Sequence, residues 1–285
     1  RWISNVTMLK NDPFSSFSFF SSNPLSAISR LSRCSTIHRL SLVFISLWLL
    51  ASSLTPAWGV GDTWTARASS PLSTNNGAAL VGTGDSMYTF AGGINNSLMG
   101  YTISNNSWTT LAPAPATVDE GGALALSSSS DSIYALGGNS TANFWRYSRI
   151  ANVWETRTSA PAATMRGAAL VYPGTGDTIY AFGGNTTTNF WAYSITSNTW
   201  ETKAAAPAFT GYGGSLVYYP ASGDSIYALR GASAEFWRYS IKANTWETMA
   251  SLPGPVNYGG SLGYPGSGNL IYAFQGAAPT NFWAY

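Results

Sequence analysis

Apolar positions along this chain come in short alternating runs separated by turn residues. From Gly167 to Pro207 the order is GAALVYP, a GTGD turn, TIYAFGG, a polar link, NFWAYSI, a TSN turn, TWETK and then AAAP. Four such runs, bounded by Gly, Asn, Asp and Ser, predict four strands joined by tight turns. No stretch of ten or more residues holds the period of an amphipathic helix. The proline after the fourth run stops pairing and carries the chain onward.

The four-run unit recurs. Trp108, Trp154, Trp200 and Trp246 stand 46 residues apart, and Trp64 lies 44 before the first of them. Phe144-Trp145, Phe190-Trp191, Phe236-Trp237 and Phe282-Trp283 keep the same step. Small-residue runs begin at Gly77, Gly121, Gly167, Gly213 and Gly259. A period of 40 to 50 residues with several strands per copy predicts blades stacked around an axis, because one blade alone cannot bury both its faces. The small-residue run suits the innermost strand. The recurrent tryptophans are expected between blades, each burial contributing roughly 1.5–3 kcal/mol.

The runs YTFAGG, YALGG, YAFGG, YALRG and YAFQG, each followed by an aromatic strand and most by a tryptophan strand, resemble the kelch repeat over about residues 60 to 285. The resemblance implies an all-β propeller whose ligand surface is formed by loops on one face. Two departures stand out. Arg230 and Gln275 replace the first glycine of the pair, and the third strand keeps Phe-Trp more strictly than the kelch pattern does. The last copy stops in its third strand at Tyr285, while GVGDTWTA, around Trp64, reads as a fourth strand without partners. Pairing the two removes two exposed edges. The prediction is a five-bladed β-propeller of four-stranded antiparallel blades, closed by pairing the N-terminal strand with the C-terminal blade. Kelch-like propellers more often have six or seven blades, so a piece of a larger one is the alternative.

Composition changes the picture at the N-terminus. Charged residues are only 9% of the 285 and aromatics 14%, which fits neither disorder nor a helical bundle. Residues 1–57 carry five basic side chains and one acid; without that net +4 the remainder is near −2. RLSRCSTIHR leads into LSLVFISLWLLA and then Thr55-Pro56-Ala57, the pattern of a secretory signal. The apolar run is shorter than the roughly 20 residues of a membrane span. The expected organisation is a leader with a signal peptide over 1–57 and a propeller over 58–285, secreted or on the cell surface. A retained anchor and an organellar transit peptide are the alternatives; a membrane contact is expected only through an uncleaved leader. NNS at Asn95 and Asn105, NST at Asn139 and NTT at Asn185 match the glycan acceptor pattern.

Cys34 and His38 are the only cysteine and histidine, and both lie in the leader. Catalytic triads, Cys-His nucleophiles and ordinary zinc or copper sites are therefore not expected in the propeller, and no cofactor is. Asp85, Asp131, Asp177 and Asp224 recur after the first strand and read as turn residues, with a calcium loop as the sharper alternative. Glu155, Glu201 and Glu247 read as solvated strand positions. A slightly acidic domain without basic clusters or phosphate loops is not expected to bind nucleic acid. Low charge permits self-association.

What differs between copies is the better guide to a site. Before the small-residue run stand Asn76, Glu120, Arg166, Tyr212 and Tyr258, with Asp119 and Asn257 beside them. The link between second and third strands contributes Arg230, Glu235, Gln275, Asn139 and Asn185 on the same expected face. The resemblance places the ligand surface on these two loop sets; variation tolerated in surface loops is the bland reading. The candidate ligand-binding set is Asn76, Asp119, Glu120, Arg166, Tyr212, Arg230, Glu235, Tyr258 and Gln275. A ring of unlike groups suits one composite site for a protein or peptide. A carbohydrate-binding propeller is the alternative, since Tyr212 and Tyr258 suit sugar stacking and Asn-rich loops offer paired donors and acceptors. A glycoside-active enzyme stands third, because Asp119, Glu120 and Glu235 alone do not make a spaced carboxylate pair.

Overall fold

The computed structural model describes residues 65–127, 131–184, 186–277 and 281–285. The expected signal peptide, Cys34, His38, Asn185 and the closing strand around Trp64 lie outside them. Among the described residues every regular element apart from one 3-10 turn, Pro220–Ser222, is a strand. Among the described residues no helix is long and apolar enough to cross a membrane.

The strands form five antiparallel sheets, each following chain order. The first holds β1 (Ala79–Thr83), β2 (Ser86–Phe90), β3 (Leu98–Thr102) and β4 (Ser107–Thr110). The second holds β5 (Ala123–Ser127), β6 (Ser132–Leu136), β7 (Phe144–Ser148) and β8 (Val153–Thr156). The third holds β9 (Ala169–Val171), β10 (Thr178–Phe182), β11 (Phe190–Ser194) and β12 (Thr199–Thr202). The fourth holds β13 (Ser215–Tyr219), β14 (Ser225–Leu229), β15 (Phe236–Ser240) and β16 (Thr245–Thr248). The fifth has three strands among the described residues: β17 (Ser261–Gly263), β18 (Tyr272–Phe274) and β19 (Phe282–Ala284). The small-residue strands β1, β5, β9, β13 and β17 neighbour one another in that order, so they line the axis as their composition predicts.

The apolar core lies between blades. Buried clusters join the first blade to the second, the second to the third, the third to the fourth and the fourth to the fifth. Aromatic packing does much of this, with the tryptophan of one blade reaching the phenylalanine of the blade before. Trp200 meets Phe144 edge-on at 4.8 Å and Trp246 meets Phe190 at 4.9 Å. The last junction around the axis is different. Leu80 of the first blade is 60% exposed, against 7% for Leu124 and 8% for Leu170 at the same position. Phe282 of the fifth blade is 54% exposed, whereas Phe144 and Phe190 are fully buried. Each of these two blades thus carries an uncovered apolar face.

A polar staple repeats beside each tryptophan. Asn106, Asn152, Asn198 and Asn244 adopt the left-handed conformation in the turn between third and fourth strands. Each side-chain oxygen accepts from the tyrosine five residues earlier, at 2.7–2.8 Å. The same oxygen accepts the backbone N–H of Ala68, Ala112, Thr158 or Ala204, whose carbonyl in turn accepts the tryptophan indole N–H. The recurrent aspartates serve turns as well. Asp85, Asp131, Asp177 and Asp224 accept from the backbone of Ser104, Ile150, Thr196 and Lys242, tying one hairpin to the next.

Burial makes the tyrosines hard to ionise. Tyr147 and Tyr180 are pushed up to about 12, and Tyr239 is raised further, all chiefly by burial. The folded state keeps these protons above the unfolded value of about 10. Stability is therefore full below pH 10 and falls as pH rises from there through about 12. Circular dichroism recorded with tyrosinate absorbance is expected to show β structure lost as these buried tyrosines ionise in that window. Ionisation of Tyr147, Tyr180 and Tyr239 themselves near pH 10, with intact β signal, would contradict it.

Candidate functional site

Glycine geometry draws the first-strand loops into one mouth. Gly77, Gly121, Gly167 and Gly213 have positive φ, and a Cβ on each would lie 1.9–2.3 Å from the carbonyl of Asp119, Met165, Gly211 or Asn257 in the next copy. No other residue permits that approach. A Cβ on Gly259 would meet nothing within 4 Å, which places the break in this series at the edge of the fifth blade.

The links between second and third strands lie beside these loops, as predicted. Gly93, Asn139, Ala232 and Ala277 donate their N–H groups to the carbonyls of Asn76, Glu120, Tyr212 and Tyr258 at 2.7–2.9 Å. This accounts for the second glycine of the repeated pair. A Cβ at Gly138 or Gly276 would stand 2.3–2.4 Å from the Glu120 or Tyr258 oxygen.

Five predicted residues line one pocket of about 290 Å³: Asn76, Glu120, Arg166, Tyr212 and Tyr258. They form a continuous row. Asn76 donates to Glu120 at 3.3 Å, and Arg166 Nε donates to the other Glu120 oxygen. The Arg166 guanidinium lies 4.8 Å from the Tyr212 ring, and that ring lies 3.9 Å from Tyr258, tilted by 39°. The bond to Glu120 raises the Arg166 pKa, so the guanidinium stays cationic. A hydrogen bond with Tyr258, followed by burial, raises that of Tyr212, so its hydroxyl stays neutral near pH 7. Asn75 lines the pocket too; sequence reading passed over it, though it precedes Asn76 as Asp119 precedes Glu120.

The other four stand apart from the pocket. Asp119 is half-buried, and its carbonyl accepts the Gly122 N–H at 2.7 Å. Arg230 pairs with Glu235 at 3.0 Å, lies over Phe209 at 4.4 Å and donates to the Phe209 carbonyl. Gln275 is buried, donating to the Pro255 carbonyl and accepting from Asn281. Its polar ends close on the protein, a role that repeat position alone does not reveal. Among the described residues no group of three or more His, Cys, Asp or Glu side chains has metal-ligand geometry.

No family profile and no curated protein matches the chain. A solved structure titled "Structure of YjhT" aligns with 73% of this chain and 74% of its own at a TM-score of 0.59 and 14% identity. That neighbour is a β-propeller. The fold of this chain is a β-propeller of five blades. At this identity the likeness concerns the fold alone.

Proposed function

We propose that this chain is a secreted or cell-surface kelch-like propeller that binds a protein or peptide at its channel mouth and catalyses no reaction. One observation carries the reading. Five near-identical copies place an amide, an acid, a base and two phenols at one equivalent position, and these side chains run as a single row through one pocket. A site repeated blade by blade would show the same group each time; this one is composite. Both Glu120 oxygens are already engaged, by Asn76 and Arg166, which suits recognition better than proton transfer. The Arg166 side chain is 42% exposed and offers a cationic edge to a carboxylate. Tyr258, 54% exposed, offers a flat apolar surface next to it. That same exposed ring is what favours the second reading, a carbohydrate ligand stacked on Tyr258.

Selection from a displayed peptide library against the purified propeller is expected to return sequences with an acidic residue near an apolar one. Their affinity should drop roughly tenfold or more, about 1.4 kcal/mol, on Arg166→Ala or Tyr258→Ala. A glycan array showing several equivalent sugar sites per chain, with no peptide selected, would replace this reading with the carbohydrate one.

A further inference from the structure

The turns that lead into the five innermost strands share one geometry. Residues 75–78, 119–122, 165–168, 211–214 and 257–260 are each closed by a bond from the last N–H to the first carbonyl, at 2.7–3.0 Å. The third residue of each is a glycine, with φ of 77–89°. These are type II turns, whose third position asks for glycine. The carbonyl before that glycine shows how the central peptide of the turn lies. The carbonyls of Asn76, Glu120, Arg166, Tyr212 and Tyr258 face the glycine that ends the second strand of the same blade. A Cβ on Gly92, Gly138, Gly184, Gly231 or Gly276 would lie 2.2–2.6 Å from them. A trans peptide carries its N–H opposite its C=O. The first strands neighbour one another around the axis, with the second strands outside them. Carbonyls directed outward therefore direct the N–H groups of Gly77, Gly121, Gly167, Gly213 and Gly259 inward. All five glycines line the mouth pocket of about 290 Å³. Among the described residues none of these five N–H groups donates to a partner.

We propose that these five N–H groups and the Arg166 guanidinium together bind an oxyanion on the propeller axis, a carboxylate or a phosphate group. Turn N–H groups that converge without partners make a concavity for anions. A hydrogen bond to an ionised acceptor is also roughly twice as strong as one between neutral groups. Arg166 is an independent pointer to the same charge. It lines the pocket and spends its Nε on Glu120, while among the described residues its two terminal nitrogens make no hydrogen bond. That planar edge matches a carboxylate or phosphate bidentately. Glu120 is the acid in the same space, and both its oxygens are occupied by Asn76 and Arg166. The glycine N–H groups recur in every copy, so they supply a common anion seat. The side chains that vary around them then select what carries the anion. The inference goes beyond the peptide reading, because a free oxyanion and an acidic side chain present the same oxygens.

Two of the ring amides can be observed alone. Tyr212-Gly213 and Tyr258-Gly259 are the only Tyr-Gly pairs in the chain. The full chain labelled with ¹³C-carbonyl tyrosine and ¹⁵N-glycine therefore reports just these two amides in a carbonyl-filtered NMR spectrum. It is titrated with sodium phosphate, with aspartate capped at both ends by acetyl and amide groups, with the equally capped asparagine, and with sodium chloride as a separate arm. The expected result is that phosphate or capped aspartate moves both amides downfield along one saturating curve, whereas capped asparagine and chloride do not. Arg166→Ala should weaken that binding roughly tenfold. Movement with capped aspartate supports the site and the peptide reading together. Movement with phosphate alone supports the site as a seat for a free anion and removes the acidic anchor from the peptide reading. Amides that move with neither oxyanion, or equally with chloride, in chains of intact β-sheet circular dichroism would overturn the proposal.

Discussion

Phe190→Ala is expected to destabilise the propeller by about 3–5 kcal/mol, the usual range for a buried phenylalanine. The ring is fully buried and sits at the junction of the third and fourth blades. It stacks on Tyr180 and meets Phe182, Tyr239 and Trp246. Tyr180 and Phe182 belong to its own blade, while Tyr239 and Trp246 come from the next blade. Alanine removes the ring from all of them, and strands cannot collapse to fill the space without breaking their hydrogen-bond register. Urea unfolding followed by circular dichroism measures the loss. A cost below about 1 kcal/mol would mean that the blades do not depend on this packing.

Asn244→Ala is expected to cost about 2–4 kcal/mol, from two sources. The Tyr239 hydroxyl, fully buried, donates only to the Asn244 oxygen, and losing that acceptor leaves it unsatisfied at roughly 1–3 kcal/mol. Asn244 also has φ of 53°, a conformation that costs alanine about 1 kcal/mol more. The Ala204 N–H loses its partner as well. Asn244→Gly should cost less, since glycine accepts the turn, and Asn244→Asp less still, since it retains an acceptor. In a Tyr239→Phe background the cost of Asn244→Ala should shrink by about 1 kcal/mol, the coupling typical of a direct hydrogen bond. Additive effects would separate the two residues and remove the staple from the account.

Much of the fold was legible before any coordinates. Strand positions follow from alternation and turn residues, and the count of copies follows from the tryptophan spacing. The stapling asparagines were visible only as turn residues, because one partner lies five residues back and the other about forty residues back, in the preceding copy. The site divided in a similar way. Position within the repeat predicted that Asn76, Glu120, Arg166, Tyr212 and Tyr258 share a mouth, since backbone geometry repeats with the sequence. It did not predict the destinations of Arg230 and Gln275. Those side chains stand in for a glycine, and where they turn depends on neighbours such as Phe209, Glu235, Pro255 and Asn281.

The amino-acid sequence by itself determined the unit, its four strands, the glycines that let loops crowd together and the list of groups that vary from copy to copy. These are local matters of backbone freedom and side-chain period. Tertiary structure decided which of the varying groups touch, which fold back into the protein, and that the apolar cores lie at blade junctions. It also decided that Leu80 of the first blade and Phe282 of the fifth stand exposed, unlike their equivalents in the blades between. The reason is that contact between copies is set by how blades stack about the axis, and that stacking couples residues some forty positions apart whose pairing no local pattern encodes.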